Sequence, residues 1–188
     1  MRLNILNLVG SPVCAGAANG RDLLIKLLAA TNQEPSQPEP LFLDFAEVEV
    51  ATVSFLRESV LAYRNITRDR RSSFYPVVAN ANPAVLEELD ETVRSRGDVL
   101  LTCQLDASDA VTATATLGRL EPKQQAVFDF ILERGGTDAT ELQREFGVSE
   151  GVKQTAWNNR LAALASAGLV VEVSHGRSKK YRPLFEGA

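Results

Sequence analysis

The last third of the chain places three helical patterns before a short basic hairpin, and this order restricts the possible folds more than any other feature of the sequence. Pro122 suits the first turn of a helix, because its missing amide hydrogen is not needed there. Apolar residues then recur at helical spacing, which predicts a buried stripe of Val127, Phe128, Ile131 and Leu132. The pair Gly135-Gly136 is expected to end this helix.

A second helix is expected to begin at Thr137, whose hydroxyl suits an N-cap, and to end at Gly147. A turn at residues 148–151 then leads into a third helix over about 152–167. At 100° per residue, the third helix has an apolar side formed by Trp157, Leu161 and Leu164. Its opposite side is small and polar, and consists of Thr155, Asn158, Asn159 and Ala162. Trp157 is therefore predicted to be a core residue.

The hairpin is expected to contain strands at 169–173 and 179–183 and a turn at 174–178 around Gly176. Between residues 151 and 185 the chain has six Lys or Arg and one acidic residue, a net charge of +5 within a chain whose total is −4. A local cationic patch on an acidic protein is typical of a phosphate-binding surface.

One resemblance rests on Asn159-Arg160-Leu161, then Leu164, then Gly168-Leu169-Val170 and a turn with basic residues. These motifs resemble the recognition helix and wing of bacterial winged helix-turn-helix transcription regulators, over about 65 of 188 residues. The resemblance implies double-stranded DNA as the partner, with the third helix in the major groove. The DNA-contacting residues that it implies are Lys153, Gln154, Thr155, Asn158, Asn159, Arg160, Arg177, Ser178, Lys179 and Lys180. Arg160 also borders the apolar stripe, so two roles stay open for it: a packing stem whose charged head reaches a phosphate, or a purely structural role.

The first part of the chain alternates strand and helix patterns. Strands are expected at 3–9, 41–45, 74–79 and 99–105, and helices at 19–30, 54–63 and 83–96. This order predicts an open sheet with helices packed on it, so that the fold class of the whole chain is α/β (α+β). The Thr/Ala segment at 107–118 is either a connector or an additional exposed strand. We place a domain boundary after Leu117, which divides the chain into domains 1–117 and 118–188.

A second resemblance rests on Leu43-Asp44-Phe45, Val48 and the run Ala51-Thr52-Val53-Ser54-Phe55-Leu56-Arg57-Glu58. These residues resemble the strand-to-helix hinge of STAS-like domains, the fold of anti-sigma-factor antagonists and of a related, poorly characterised bacterial family. Ser54 is the nearest match to the phosphorylatable serine of the antagonists, and its other reading is a simple helix cap. The antagonists have glycine after that serine. Phe55 stands there in this chain, so the uncharacterised family is the closer match.

Patterns for catalysis, metal binding and membrane insertion are missing from the sequence. The only histidine, His175, lies in the predicted hairpin, which excludes a Ser-His-Asp or Cys-His pair within the α/β domain. Cys14 and Cys103 match no metal-ligand spacing and are expected to be reduced thiols. The glycine-rich segment 10–20 lacks the P-loop Lys-Ser/Thr and the dinucleotide fingerprint. The sequence thus predicts a cytoplasmic protein that is not an enzyme and has no cofactor, metal or membrane segment.

Two functions remain open. The first is a DNA-binding transcription regulator that acts as a homodimer, because one recognition helix covers few base pairs, with the STAS-like domain for signal or partner input. The alternative is a protein-interaction adaptor of a partner-switching system like that of the anti-sigma-factor antagonists, with the winged helix as a second docking surface. Residues 1–118 have a net charge of −5 and residues 119–188 of +1, so the C-terminal domain is the expected DNA-binding surface.

Overall fold

The computed structural model describes residues 1–175 and 178–185 of the chain. They form two compact units, which divide between Arg119 and Leu120. The boundary expected from the sequence, after Leu117, lies two residues earlier. Strands and helices alternate in the first unit, and helices precede a β-hairpin in the second, which confirms the predicted α/β class.

The first unit contains thirteen elements of secondary structure. In chain order they are β1 (Arg2–Asn4), α1 (Ile5–Val9), β2 (Val13–Cys14), α2 (Ala17–Ala30), β3 (Glu39–Asp44), β4 (Val50–Ala51), α3 (Val53–Leu56), a π-helical turn (Arg57–Leu61), α4 (Ala62–Asp69), β5 (Phe74–Ala79), α5 (Pro83–Ser95), β6 (Val99–Leu105) and β7 (Val111–Gly118). The strands expected at 41–45, 74–79 and 99–105 and the helices expected at 19–30, 54–63 and 83–96 are confirmed.

The main sheet has the strand order β1-β3-β5-β6-β7, so the order across the sheet follows the order along the chain. The first four strands are parallel, and β7 pairs with β6 in the antiparallel sense. The Thr/Ala segment is therefore an edge strand rather than a connector. Strands β2 and β4 form a separate parallel ribbon, which pairs Val13 with Val50 and Cys14 with Ala51.

The core of this unit lies between one face of the main sheet and its helices. Alternate strand residues share a face, and those that join the core cluster are Leu41, Leu43, Phe74, Val78 and Leu100. The helices add Leu23, Leu27, Phe55, Val60, Val85 and Leu89 to the same cluster. Each fully buried side chain of this size contributes about 1.5–3 kcal/mol through removal from water.

Helix α2 lies close against the helix that follows β4, and Gly20 permits this approach. A Cβ atom at residue 20 would lie 2.7 Å from the carbonyl oxygen of Phe55 and 3.0 Å from the Cβ atom of Glu58. The first of these separations is one that real Cβ atoms almost never show, so any larger residue forces the two helices apart.

The strand predicted at residues 3–9 is wrong beyond Asn4. The Asn4 side chain accepts a hydrogen bond from the Asn7 amide at 2.8 Å and caps α1, and Gly10 ends that helix in the left-handed conformation with φ of 80°. Over only five residues, the apolar positions expected of a strand coincide with those expected of a short helix, so the pattern does not distinguish the two. The caps at Asn4 and Gly10 favour the helix.

Ser54 is not the cap of its helix, so that part of the prediction is wrong. The N-cap is Thr52, whose hydroxyl accepts a hydrogen bond from the Phe55 amide at 3.4 Å. Ser54 is the second residue of α3, and its hydroxyl lies 3.2 Å from the Thr52 hydroxyl. Phosphorylation of Ser54 stays a prediction.

The second unit consists of α6 (Pro122–Arg134), α7 (Ala139–Glu150), α8 (Gln154–Ser166), β8 (Val170–His175) and β9 (Ser178–Pro183). The predicted order of three helices and a hairpin is confirmed. The strands extend further than expected, because His175 pairs with Ser178 and the predicted turn residues 174, 175 and 178 belong to strands. Tyr181 of β9 also pairs with Thr137, since each amide donates to the other residue's carbonyl at 2.8 Å.

Three local predictions for this unit are wrong. Leu132 is 49% exposed and lies outside the buried stripe of α6. Thr137 is engaged with β9, so the N-cap of α7 is Asp138, whose Oδ1 accepts hydrogen bonds from the amides of Thr140 and Glu141 at 2.8 and 2.9 Å. Helix α7 also passes through Gly147 and ends at Glu150, where Gly151 caps it in the left-handed conformation with φ of 62°.

Candidate nucleic-acid interface

Helix α8 presents one apolar side to the core of the second unit. Trp157 is 1% exposed and Leu161 and Leu164 are fully buried, which confirms their prediction as core residues. The ring of Phe146 bridges the core, with its centroid 6.0 Å from that of Trp157 and 5.2 Å from that of Phe130. These contacts between α6, α7 and α8 hold the third helix in a defined position.

The opposite side of α8 is exposed and uncharged. The structure brings Thr155, Asn158, Asn159 and Ala162 together on this side, as the sequence predicts. Short side chains allow a helix to approach another surface closely, and an Asn amide can donate and accept at once, as bidentate recognition of adenine requires. We refer to these four residues as the outer face of α8.

Two residues at the start of α8 stand beside the outer face. Lys153 occupies the N-cap position in an extended conformation and is exposed. Gln154 is exposed as well, and its amide nitrogen donates to the hydroxyl of Thr140 at 2.9 Å. Since Thr140 lies in the first turn of α7, this bond fixes the Gln154 side chain against the preceding helix. Thr140 is a positioning residue that the sequence did not suggest.

Arg160 lies away from the outer face, against α7. Its guanidinium donates to Glu150 at 3.0 Å and stacks over the ring of Trp157 at 4.5 Å from the centroid. Lys123 of α6 approaches the same Glu150 carboxylate at 3.8 Å. The Arg160 side chain is only 14% exposed and its head is held within the unit, so of the two roles left open for it the structure favours the purely structural one. Glu150, the last residue of α7, therefore links that helix to α8 through Arg160 and to α6 through Lys123.

Glu172 contacts two residues on its own face of the hairpin, Lys179 and Tyr181. Its carboxylate is 2.7 Å from the Lys179 ammonium and accepts a hydrogen bond from the Tyr181 hydroxyl at 3.2 Å. Burial and the neighbouring Glu172 carboxylate together raise the pKa of Tyr181 to about 12. Lys179 is half exposed but is already paired within the protein, so its charge is partly compensated.

Lys180 lies on the other face of the hairpin, because successive strand residues alternate. There it borders a cleft of about 440 Å³, together with Arg182, Arg134 and the acidic residues Asp138 and Glu141. Ser178 is exposed at the start of β9. Arg177, another predicted DNA contact, lies outside the described residues. The structure thus separates Lys179 from Lys180, which the sequence had treated as one group.

The first unit buries one hydrogen-bonded carboxylate and two thiols. Asp44, buried at the end of β3, accepts hydrogen bonds from Arg2 at 2.7 and 3.0 Å and from Asn80 at 2.9 Å. Both cysteines are buried free thiols; burial raises the pKa of Cys14 to about 11, and burial with the Asp44 charge raises that of Cys103 to about 12. Neither thiol has the exposed, electropositive setting of a reactive cysteine.

Across residues 1–175 and 178–185, no three His, Cys, Asp or Glu side chains are grouped so as to hold a metal ion. The helices in that part of the chain are all too short or too polar to cross a membrane. The chain matches no known protein-family model and no curated protein sequence.

Proposed function

We propose that the chain is a transcription regulator whose second unit is a winged helix-turn-helix module that binds double-stranded DNA. Three helices followed by a hairpin fit that module. The pairing of Thr137 with Tyr181 adds further support, because it makes β9 the central strand of a small three-stranded arrangement and ties the segment between α6 and α7 to the hairpin.

The outer face of α8 is the observation on which the proposal mainly depends. A B-DNA major groove about 12 Å wide admits one helix, whose exposed side must be short and capable of hydrogen bonding. Thr155, Asn158 and Asn159 meet both conditions, and the apolar side of the same helix is fixed in the core. Gln154, held by Thr140, stands at the end of α8 that enters the groove first.

We assign the phosphate contacts to exposed cations at the start of α8 and on the hairpin. Lys153 is exposed at the start of α8, and Lys180 is exposed on the hairpin. Lys179 contributes less, because Glu172 neutralises part of its charge. The first unit, with its net negative charge, serves for signal or partner input. The protein acts in the cytoplasm, as a homodimer that binds a two-fold symmetric operator.

The decisive experiment selects duplexes from a random DNA library with the full-length protein and measures their affinity by fluorescence anisotropy. Asn159→Ala is expected to weaken binding to the selected sequence by about 5- to 150-fold while leaving random-sequence DNA unaffected. Lys180→Ala is expected to weaken binding to every duplex and to reduce the salt slope by about one. Ser166→Ala, at the far end of α8, and Arg96→Ala, in the first unit, are matched controls with unchanged affinity.

An adaptor function is the second candidate, and it is favoured by one observation. The pairing of Glu172 with Lys179 lowers the positive charge available for phosphates. An adaptor would show no enrichment of any duplex and no binding to DNA even at low salt. That result would refute the DNA-binding proposal and leave the outer face of α8 as a protein-docking surface.

A further inference from the structure

The cleft beside Lys180 has the size of a small-molecule site and a fixed floor. Its volume of about 440 Å³ lies within the range of about 300–1,000 Å³ that is typical of such sites. The link between α6 and α7 and the strand β9 line it, and Thr137 and Tyr181 join these two segments through amide-to-carbonyl hydrogen bonds of 2.8 Å. A Cβ atom at Gly136 would lie 3.1 Å from the Tyr181 carbonyl oxygen, so glycine suits this close approach.

Two cations that border the cleft have no counterion in the described part of the chain. Arg134, the last residue of α6, lies over the Phe130 ring at 5.2 Å from its centroid, and its guanidinium forms no ion pair with a described residue. Lys180 is exposed, and its ammonium forms no ion pair there either. Arg182 borders the cleft as well and donates to the Pro183 carbonyl at 3.4 Å. Arg134 and Lys180 are therefore available to an anionic group.

Two carboxylates border the same cleft at the start of α7. Asp138 uses Oδ1 to cap two amides of its helix, and Glu141 uses Oε2 to accept a hydrogen bond from the Thr137 hydroxyl at 2.9 Å. The second oxygen of each carboxylate has no hydrogen-bond partner among the described residues. Neither carboxylate pairs with Arg134 or Lys180, so unpaired charges of both signs line one cleft.

We infer that this cleft binds a zwitterion of the amino-acid class. The carboxylate of the ligand pairs with Arg134 and Lys180, and its ammonium pairs with the second oxygens of Asp138 and Glu141. Charge-assisted hydrogen bonds of this kind are roughly twice as strong as neutral ones. A purely anionic ligand would lie beside the two carboxylates, and a purely cationic one beside the two cations, so the cleft selects against both. Val173 also lines the cleft and offers an apolar contact to the rest of the ligand.

A consequence for DNA rests on the proposed function. Lys180 is also assigned to a DNA phosphate, and an ammonium that pairs with the ligand carboxylate attracts a phosphate less strongly. The ligand is therefore expected to weaken binding to every duplex and to reduce the salt slope by up to about one. By linkage, DNA lowers the affinity for the ligand by the same factor as the ligand lowers the affinity for DNA.

Calorimetric titration of the full-length protein tests the site without DNA, in a buffer that contains neither zwitterions nor carboxylates. The probes are the common α-amino acids, glycylglycine and 4-aminobutyrate, which hold their two charges at different separations. We expect at least one probe to bind with a Kd of about 1 mM or tighter. Its N-acetyl derivative lacks the ammonium and its primary amide lacks the carboxylate, so each is expected to bind at least about 10-fold more weakly.

Matched substitutions locate the bound probe. Arg134→Gln and Glu141→Gln each remove one charge from the cleft and are expected to weaken binding about 10-fold, while Gln at position 141 keeps an acceptor for the neighbouring hydroxyl. Arg144→Gln and Glu145→Gln remove exposed charges of α7 that do not line the cleft, so the affinity stays unchanged. The fluorescence of Trp157, in the core of this unit, verifies that each variant is folded.

Three results would each overturn the inference: no probe binds, the N-acetyl derivative or the amide binds as tightly as the parent probe, or folded Arg134→Gln and Glu141→Gln both keep full affinity. The comparison of derivatives uses the unmodified chain, so it decides the matter even where a variant fails to fold. Because these titrations contain no DNA, their failure leaves the proposed function intact. A probe that binds to a protein which selects no duplex refutes only the proposed function.

Discussion

The contact between Glu150 and Arg160 is expected to contribute measurably to the stability of the second unit. At 3.0 Å and an effective dielectric constant of about 20, the bare attraction is about 5 kcal/mol. Desolvation of both charged groups cancels most of that attraction. Glu150→Gln keeps the shape of the side chain and exchanges a charge-assisted hydrogen bond for a neutral one, so we expect a loss of about 1–2 kcal/mol in the free energy of unfolding.

The chain offers a selective assay for this loss. Trp157 is the only tryptophan and lies in the core of the second unit, so its fluorescence reports the unfolding of that unit by urea. A unit of this size has an m value of about 1 kcal/mol/M, and the midpoint is expected to fall by roughly 1 M or more in Glu150→Gln. Lys123→Met serves as the control. It removes the longer and more exposed ion pair between Lys123 and Glu150, at 3.8 Å, and should lower the free energy of unfolding by less than about 0.5 kcal/mol.

A double-mutant cycle with Arg160→Met isolates the interaction from other effects of each substitution. We expect a coupling energy of about 1 kcal/mol between positions 150 and 160. If the two substitutions are additive within about 0.3 kcal/mol, the assignment of Glu150 as the residue that ties α8 to α7 is wrong.

Three further predictions concern burial and ionisation. Gly20→Ala forces its new Cβ to within 2.7 Å of the Phe55 carbonyl oxygen, so we expect a loss of at least about 2 kcal/mol, measured by circular dichroism during chemical unfolding of the first unit. The raised pKa values of Cys14 and Cys103 predict that a thiol reagent at pH 8 modifies the native protein at least about 100-fold more slowly than the unfolded chain, and equal rates would contradict their burial. Because the pKa of Tyr181 is raised from 10 to about 12, its neutral form stabilises the fold fully below pH 10, and this contribution is lost as the pH rises towards 12. Trp157 fluorescence should show that Tyr181→Phe makes the decline in stability over this range smaller.

Long periodic segments made much of the fold predictable from the sequence. The strand at 41–45 and the helix at 83–96 were identified because the apolar pattern of each fits one type of element. The core side of α8 followed in the same way from the spacing of Trp157, Leu161 and Leu164. In such segments several helical turns or strand residues indicate the same element, so tertiary contacts do not change the secondary structure.

Helix ends and pairings between distant residues were harder to predict. Both Gly147 and Gly151 are suitable C-caps, and only the packed structure shows that Gly151 takes the left-handed conformation. Thr137 is a good N-cap by type, but its backbone is engaged with Tyr181, 44 residues later in the chain. Glu150 and Glu172 have no distinctive local pattern, and their roles depend on which cations the fold brings near them.

The agreement between chain order and sheet order has a consequence for the order in which the sheet forms. Paired residues are 40 positions apart between β1 and β3 (Arg2 and Phe42), 24 between β5 and β6 (Val78 and Thr102), and only 13 between β6 and β7 (Thr102 and Ala115). The cost of loop closure rises with the logarithm of the separation, so closing the first pair costs about 1 kcal/mol more than closing the last. We therefore expect the β6–β7 hairpin to nucleate the sheet and the N-terminal strand to join it last, although the ribosome synthesises that strand first.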